Sequence, residues 1–295
     1  MAENGALFDN EFLRKLEYLN IISKNLLPGH LHGEHRAKKV GTGLEFADYR
    51  QYVPGEDVSN VDWRTYLRLD KLILRLFEEE ADLPIYIFFD ASQSMNFGEP
   101  LKFDYARKVA AALCYIGLLN LDRVNLVAFA DGVAAEMSSR RGKNQVWQAF
   151  RFLESVSPGG ETSMQEAFKG FFSGRRRKGL VVVISDFFDE NGMERGLDML
   201  RFFRQDVFSV QVFSRSEARP DLPDEVLLVD SEDGSNQRVK VTPGLLEAYA
   251  RKFDEHCEGI RSTCRKYGWG YVRTATEVPF EDLILRVFRQ GRFLG

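Results

Sequence analysis

Cysteine is scarce in this chain of 295 residues. Only Cys114, Cys257 and Cys264 are present, and none forms a CxxC pair. An odd, sparse set of this kind excludes a secreted disulfide framework and reads as buried thiols of a reducing compartment. No run stays apolar and uncharged for the roughly 20 residues that a bilayer span requires, so membrane insertion is not expected. The first ten residues, Met1 to Asn10, have neither a basic region nor a long apolar stretch, and the expected location is the cytoplasm. Neither sign of charge dominates: Lys plus Arg number 40 against 44 for Asp plus Glu, net -4. There is accordingly no global attraction toward nucleic acid or an anionic surface.

Several catalytic signatures are missing as well. The chain contains no GxSxG elbow, no GxxxxGK[ST] phosphate loop and no HExxH pair. Gly41-Thr-Gly43 lacks the third glycine and the preceding strand of a dinucleotide fingerprint. Histidine is nearly absent outside His30, His32 and His35. These three lie beside Glu34 in a glycine-containing stretch that gives them no reason to converge on zinc. His256, on a long helical stretch, reads as a surface or core residue rather than a base.

What is present is a hydrophobic composition of 44% with 28% charged residues, enough for an ordinary core. Residues 8 to 27 place Phe8, Phe12, Leu16, Leu19, Ile22 and Leu26 at helical spacing, ended by Pro28-Gly29. Residues 44 to 80 are dense in aromatics and charges, with an expected strand at 72–77. From Ala81 onward apolar β-rich runs alternate with helical patterns, as in a doubly wound, mostly parallel α/β sheet. Strands are expected at 84–90, 123–130, 179–185, 207–213 and 269–274, with a short edge strand at 132–137. Helices are expected at 101–119, 143–155, 163–173, 192–204, 243–267 and 280–290. The turn-rich stretch 214–242 reads as a surface loop and hairpin. Two domains follow from this pattern: residues 1–80 as an N-terminal helix with an accessory module, and 81–295 as the α/β domain.

Asp90 ends the first apolar run and opens Asp90-Ala-Ser-Gln-Ser94. Asp186 ends the run Leu180 to Ser185. Parallel sheets hold ligands at the carboxyl ends of their strands, where both aspartates fall. With Thr162, in the glycine-containing loop Pro158-Gly-Gly-Glu-Thr162, the residues Asp90, Ser92, Ser94, Thr162 and Asp186 offer oxygens only. This is the donor chemistry of Mg2+ or Mn2+. Hydroxyl donors quench little of a cation's charge, which would leave it attractive to one further carboxylate. A helix-capping loop is the ordinary alternative for an isolated DxSxS.

The same residues resemble the metal-ion-dependent adhesion site of von Willebrand factor A-like domains, over about residues 81 to 295. A second set is more specific: Gly41-Thr-Gly-Leu-Glu-Phe46, Arg50-Gln-Tyr52, Val53-Pro-Gly-Glu-Asp57, Val61-Asp-Trp63 and Phe77-Glu-Glu-Glu80. It resembles the signature of the bacterial domain-of-unknown-function 58 family associated with MoxR-type AAA+ ATPases. The chain departs from that pattern at Ser59, where the family carries arginine, and at Leu67, where it carries alanine. The resemblance implies a non-enzymatic, divalent-metal-dependent protein-binding adaptor. Its implied partners are a MoxR-type ATPase and a client offering an acidic residue; no nucleic-acid partner is expected from the charge balance. Glu45, Arg50, Asp57, Asp62 and Arg64, interleaved with Tyr49, Tyr52 and Trp63, read either as ion pairs and caps or as a docking face. Of the two basic clusters, at 35–39 and 174–179, the second ends a helix and reads as helix-capping charge rather than a phosphate or RNA contact, since no aromatic stacking platform accompanies it. The competing function is a metal-dependent phosphate-ester hydrolase with Asp90 as nucleophile. An enzyme of that kind has its general acid two positions on, and that position is Ser92.

Overall fold

The computed structural model describes residues 7–26, 39–41, 45–53, 58–79, 84–174, 176–189, 192–229 and 236–290. His30, His32, His35, the basic cluster at 35–38 and the signature residues 42–44, 54–57 and 80 lie outside them. The chain divides into two compact units, residues 29–82 and the remainder.

The first helix, α1 (Asn10–Leu26), opens with Asp9 accepting the amide of Phe12 at 2.7 Å. In the smaller unit follow β1 (Lys39–Gly41), β2 (Glu45–Gln51), α2 (Trp63–Leu69) and β3 (Ile73–Glu79). Its three strands form an antiparallel sheet in the order β1-β3-β2. Asp62 caps α2, its carboxylate accepting the amides of Arg64 and Thr65 at 3.1 and 3.2 Å. One of the interleaved charges is thus a buried cap, whereas Trp63 and Tyr49 are exposed.

The larger unit continues with β4 (Ile85–Asp90), α3 (Lys102–Leu119), β5 (Val124–Phe129), β6 (Val133–Arg140), α4 (Val146–Ser155) and α5 (Met164–Phe172). After these come β7 (Leu180–Ser185), α6 (Met193–Phe202), β8 (Asp206–Phe213) and the single turn α7 (Arg215–Ala218). The chain then forms the hairpin β9 (Glu225–Val229) and β10 (Asn236–Lys240), followed by α8 (Pro243–Lys266), β11 (Gly270–Ala275) and α9 (Phe280–Arg289). Six strands form one sheet in the order β11-β8-β7-β4-β5-β6, parallel throughout except for the antiparallel edge strand β6. The fold is mixed α/β, a mostly parallel sheet flanked by helices.

β4, β5 and β7 are buried along their whole length, which is why they read as continuous apolar runs rather than alternating ones. Side chains still alternate between faces. Tyr86 and Phe88 of β4 join the cluster containing Phe168, Phe171 and Leu197 from α5 and α6, while Phe89 meets Phe103 and Phe152 on the opposite side. Gly179 is required at the entry to β7, because a Cβ there would sit 2.2 Å from the Pro84 carbonyl oxygen.

The grouping of the N-terminal helix with residues 29–80 is corrected here. α1 belongs to the larger unit. Phe8 stacks on Phe150 at 4.8 Å, Phe12 meets Phe280 at 4.9 Å, and Lys15 pairs with Glu281 at 2.9 Å. Its apolar stripe therefore covers α4 and α9. The basic stretch 176–178 also differs from the helix-capping expectation: Arg176 grips both carboxylate oxygens of Glu136 at 2.9 Å, and Lys178 pairs with Asp206 at 2.9 Å. All three cysteines are buried free thiols.

Candidate functional site

The order in which strands are added to the sheet reverses between the parallel neighbours β4 and β7. The connection from β4 leads toward β5 and β6, whereas β7, β8 and β11 build the other half. Ligand crevices in open α/β sheets form at such a switch point, beyond the carboxyl ends of the strands. Asp90 is the last residue of β4, and Asp186 follows directly on β7.

The DxSxS loop folds back on its own aspartate. Asp90 Oδ1 accepts the Ser92 amide at 2.9 Å, and Asp90 Oδ2 accepts the Ser185 hydroxyl at 2.5 Å. The hydroxyls of Ser92 and Ser94 are 3.0 Å apart, and Ser94 Oγ donates to Asp186 Oδ2 at 3.0 Å. The loop carrying Thr162 is joined to this one by backbone bonds, Gly159 N to Ala91 O at 2.8 Å and Gln93 N to Gly160 O at 2.9 Å. Gly160 has φ +81, a conformation open to glycine at little cost, and the buried Thr162 follows two residues later. The structure therefore links Asp90, Ser92, Ser94 and Asp186 directly and ties the Thr162 loop alongside them. Ser94 is the half-buried member; Asp90, Ser92 and Asp186 are fully enclosed.

Two charged residues that sequence reasoning passed over complete the cluster. Lys102, the first residue of α3, is buried and donates from Nζ to Asp186 Oδ2 at 2.7 Å and to Glu217 Oε1 at 2.6 Å. Glu217 is held in turn by the amide of Ser214 in a capping box on α7. A helix start is an unfavourable place for a cation, since the macrodipole is positive there. The sequence nonetheless does not single Lys102 out: it opens, twelve residues past Asp90, a helix that also carries Asp104, Arg107 and Lys108.

Electrostatics follow from this enclosure. Burial, with the Asp186 charge adding to it, pushes the Asp90 carboxyl up to about 7 against the opposing hydrogen bonds from Ser185 and Ser92. Burial alone would lower Lys102, but Asp186 and Glu217 outweigh it and hold the ammonium above its ordinary value. Burial likewise raises Glu217. His256 stacks on Phe188 at 4.5 Å, with Nε2 3.4 Å from the Asp186 carbonyl oxygen; burial lowers its pKa and favours the neutral ring. Asp186 and Glu217 thus share one ammonium, while Asp90, beside Asp186, is held by Ser92 and Ser185 instead. When all three carboxyls are ionised the cluster carries two uncompensated negative charges.

Among the described residues no group of three or more His, Cys, Asp and Glu side chains is arranged to hold a metal ion. Only two of the five candidate residues, Asp90 and Asp186, are of those types; the other three offer hydroxyls. Nor, among those residues, is any helix long and apolar enough to cross a membrane.

A family model described as "Protein of unknown function DUF58" matches residues 48–259, well over half of the chain. Among curated proteins, the "Uncharacterized protein Rv1480" of Mycobacterium tuberculosis is 27% identical over 300 residues, covering 99% of this chain and 94% of that protein. The "Uncharacterized protein Mb1516" of Mycobacterium bovis matches to the same extent. Among solved structures, the conserved hypothetical protein BatB from Bacteroides thetaiotaomicron is 16% identical, with a TM-score of 0.41, covering 70% of this chain and 98% of that one. The pilus adhesin SpaC from Lactobacillus rhamnosus is 12% identical, with a TM-score of 0.44, covering 87% and 36%. Likenesses at that level carry no argument about function.

Proposed function

The chain belongs to the DUF58 family of proteins of unknown function, and from that premise we propose that it is a non-enzymatic, divalent-metal-dependent protein-binding adaptor. The observation that carries this reading is the enclosed oxygen cluster at the switch point. Its hydroxyls and carboxylates suit a hard cation, and with Asp90, Asp186 and Glu217 all ionised its two uncompensated negative charges would equal the charge that Mg2+ or Mn2+ would supply. Ser92, Ser94 and Thr162 would hold the ion through neutral oxygens, while Asp90 and Asp186 would contribute charge directly or through water. On this reading the larger unit is von Willebrand factor A-like, and a bound cation would attract an Asp or Glu of a client.

Asp90 itself speaks for an adaptor over the alternative phosphate-ester hydrolase. A nucleophilic carboxylate must reach phosphorus, yet Asp90 is fully buried with each oxygen engaged by a protein donor. The likeness of segment 41–80 to MoxR-associated proteins supports a cytoplasmic MoxR-type AAA+ ATPase as the working partner.

The full chain mixed with the MoxR-type ATPase of its own organism should co-sediment in magnesium and separate in EDTA. Asp90→Asn should abolish the magnesium-dependent complex while leaving the folded baseline intact. Asparagine is preferred to alanine because its amide oxygen can still accept the Ser92 amide while its amide nitrogen can donate to the Ser185 hydroxyl oxygen. A complex indifferent to EDTA and to Asp90→Asn, or turnover of an aryl phosphate by the wild-type chain, would contradict the adaptor reading.

A further inference from the structure

Beside the half-buried Ser94 opens a groove of about 1080 Å3, bounded by residues 187–189 and 192–194, strands β9 and β10 and one side of α8. Its lining is apolar to an extent unusual for a surface. Phe97, Leu222, Leu228, Val229, Leu245 and Tyr249 all line it, and each is between 39% and 62% exposed. Contiguous apolar exposure of this kind on a folded domain marks an interaction site. Strands β9 and β10 supply much of it: among the described residues β9 pairs only with β10, and Leu228 and Val229 stay exposed rather than entering the core.

The charge around the groove selects its occupant. Among the described residues lining it, five are acidic, Asp189, Glu194, Glu217, Asp221 and Glu255, and none is Lys or Arg. Asp189 and Glu217 are engaged internally, by the Met164 amide and by Lys102, and Glu255 lies 3.2 Å from Lys252. Glu194 and Asp221 are exposed and form no ion pair with a described residue. An anionic rim repels acidic lipid surfaces and nucleic acid and attracts cationic polypeptide. Shape points the same way. From Leu245 to Gly259 the α8 wall runs about 21 Å, the length of an amphipathic helix of about four turns, with apolar anchors spaced to face such a wall.

We infer that this groove docks an amphipathic helix of a partner protein, one face bearing leucine-sized side chains and its borders bearing Lys or Arg. Docking of this kind is distinct from cation-dependent capture of a carboxylate, although both meet at Ser94. The groove fixes which protein is engaged, whatever occupies the oxygen cluster.

Fluorescence anisotropy of the full chain tests this with two labelled helical peptides of about 18 residues. Both carry the same leucine face, one with lysine and the other with glutamate on its borders. The lysine peptide should bind at least about tenfold more tightly than the glutamate peptide. Leu228→Glu with Leu245→Glu, at exposed positions where folding tolerates the change, should weaken the lysine peptide by about tenfold or more. That loss would occur although the substitutions add negative charge, which separates groove docking from diffuse attraction to an acidic protein. Glu194→Lys with Asp221→Lys should narrow or reverse the preference between peptides. Binding should survive EDTA and Asp90→Asn, so failure of the metal reading would not be mistaken for failure of this one. Equal binding of both peptides, binding of neither, or affinity unmoved by the two leucine substitutions would overturn the proposal.

Discussion

Replacing Lys102 with methionine should lower the stability of the metal-free protein by about 3–5 kcal/mol, read as a reduced urea midpoint at unchanged slope. The size follows from what remains. Methionine keeps the apolar stem, so little packing is lost, but Asp186 and Glu217 lose the ammonium that sits 2.7 and 2.6 Å from them. Breaking a buried ion pair by removing one partner strands a charge away from water, which costs far more than an exposed pair is worth. Two further outcomes separate this cause from a general packing defect. At acid pH the stranded carboxylates can take up protons, and the deficit should shrink. Magnesium should restore more stability to Lys102→Met than to wild type, because the variant cluster has one more uncompensated negative charge; at one hundred times the dissociation constant, a ligand adds about 2.7 kcal/mol. A deficit below about 1 kcal/mol, the range of an exposed pair, would show that the ammonium does not hold the cluster together.

The second large effect concerns pH. The Asp90 carboxyl is raised to about 7 in the folded protein, whereas an unfolded chain releases that proton near 3.9. Between these values the folded state holds more protons than the unfolded state, and stability must fall as pH rises. In EDTA the Asp90 contribution should therefore be fully present below about pH 4 and lost as pH passes through about 7. Comparison with Asp90→Asn isolates it from the other carboxylates: wild type should lose about 2–4 kcal/mol relative to the variant between pH 5 and 8. Burial also raises Glu217, which acts in the same direction and is common to both proteins. A bound divalent cation would favour the ionised form, so in saturating magnesium the difference should flatten or reverse. Wild-type stability that rises with pH relative to Asp90→Asn in chelator would contradict the burial argument.

The sheet was legible because its central strands are enclosed on both faces. Such strands appear in sequence as uninterrupted apolar runs, and Asp90 and Asp186 mark where two of them end. Helix periodicity located α1 equally well but not its partners. Phe8 and Phe12 meet Phe150 and Phe280, residues more than a hundred positions away, and nothing in the spacing of an amphipathic stripe names what it will cover. The oxygen set could be assembled by placing motif residues at strand ends. Lys102 and Glu217 could not, since they join it only when α3 and α7 converge on β7, and each is an ordinary helix residue in the sequence. The hairpin within 214–242 could be read from turn chemistry. The groove it forms with α8 arises only from packing.

The most direct measurement of the central claim is an anomalous difference map from a crystal of the full chain soaked in manganese. The account expects one strong peak among the Ser92 and Ser94 hydroxyls and the Thr162 side chain, with Asp90 and Asp186 in its coordination or water shell, and loss of that peak in Asp90→Asn. A well-ordered cluster with Lys102 on Asp186 and no anomalous density among those oxygens would contradict it.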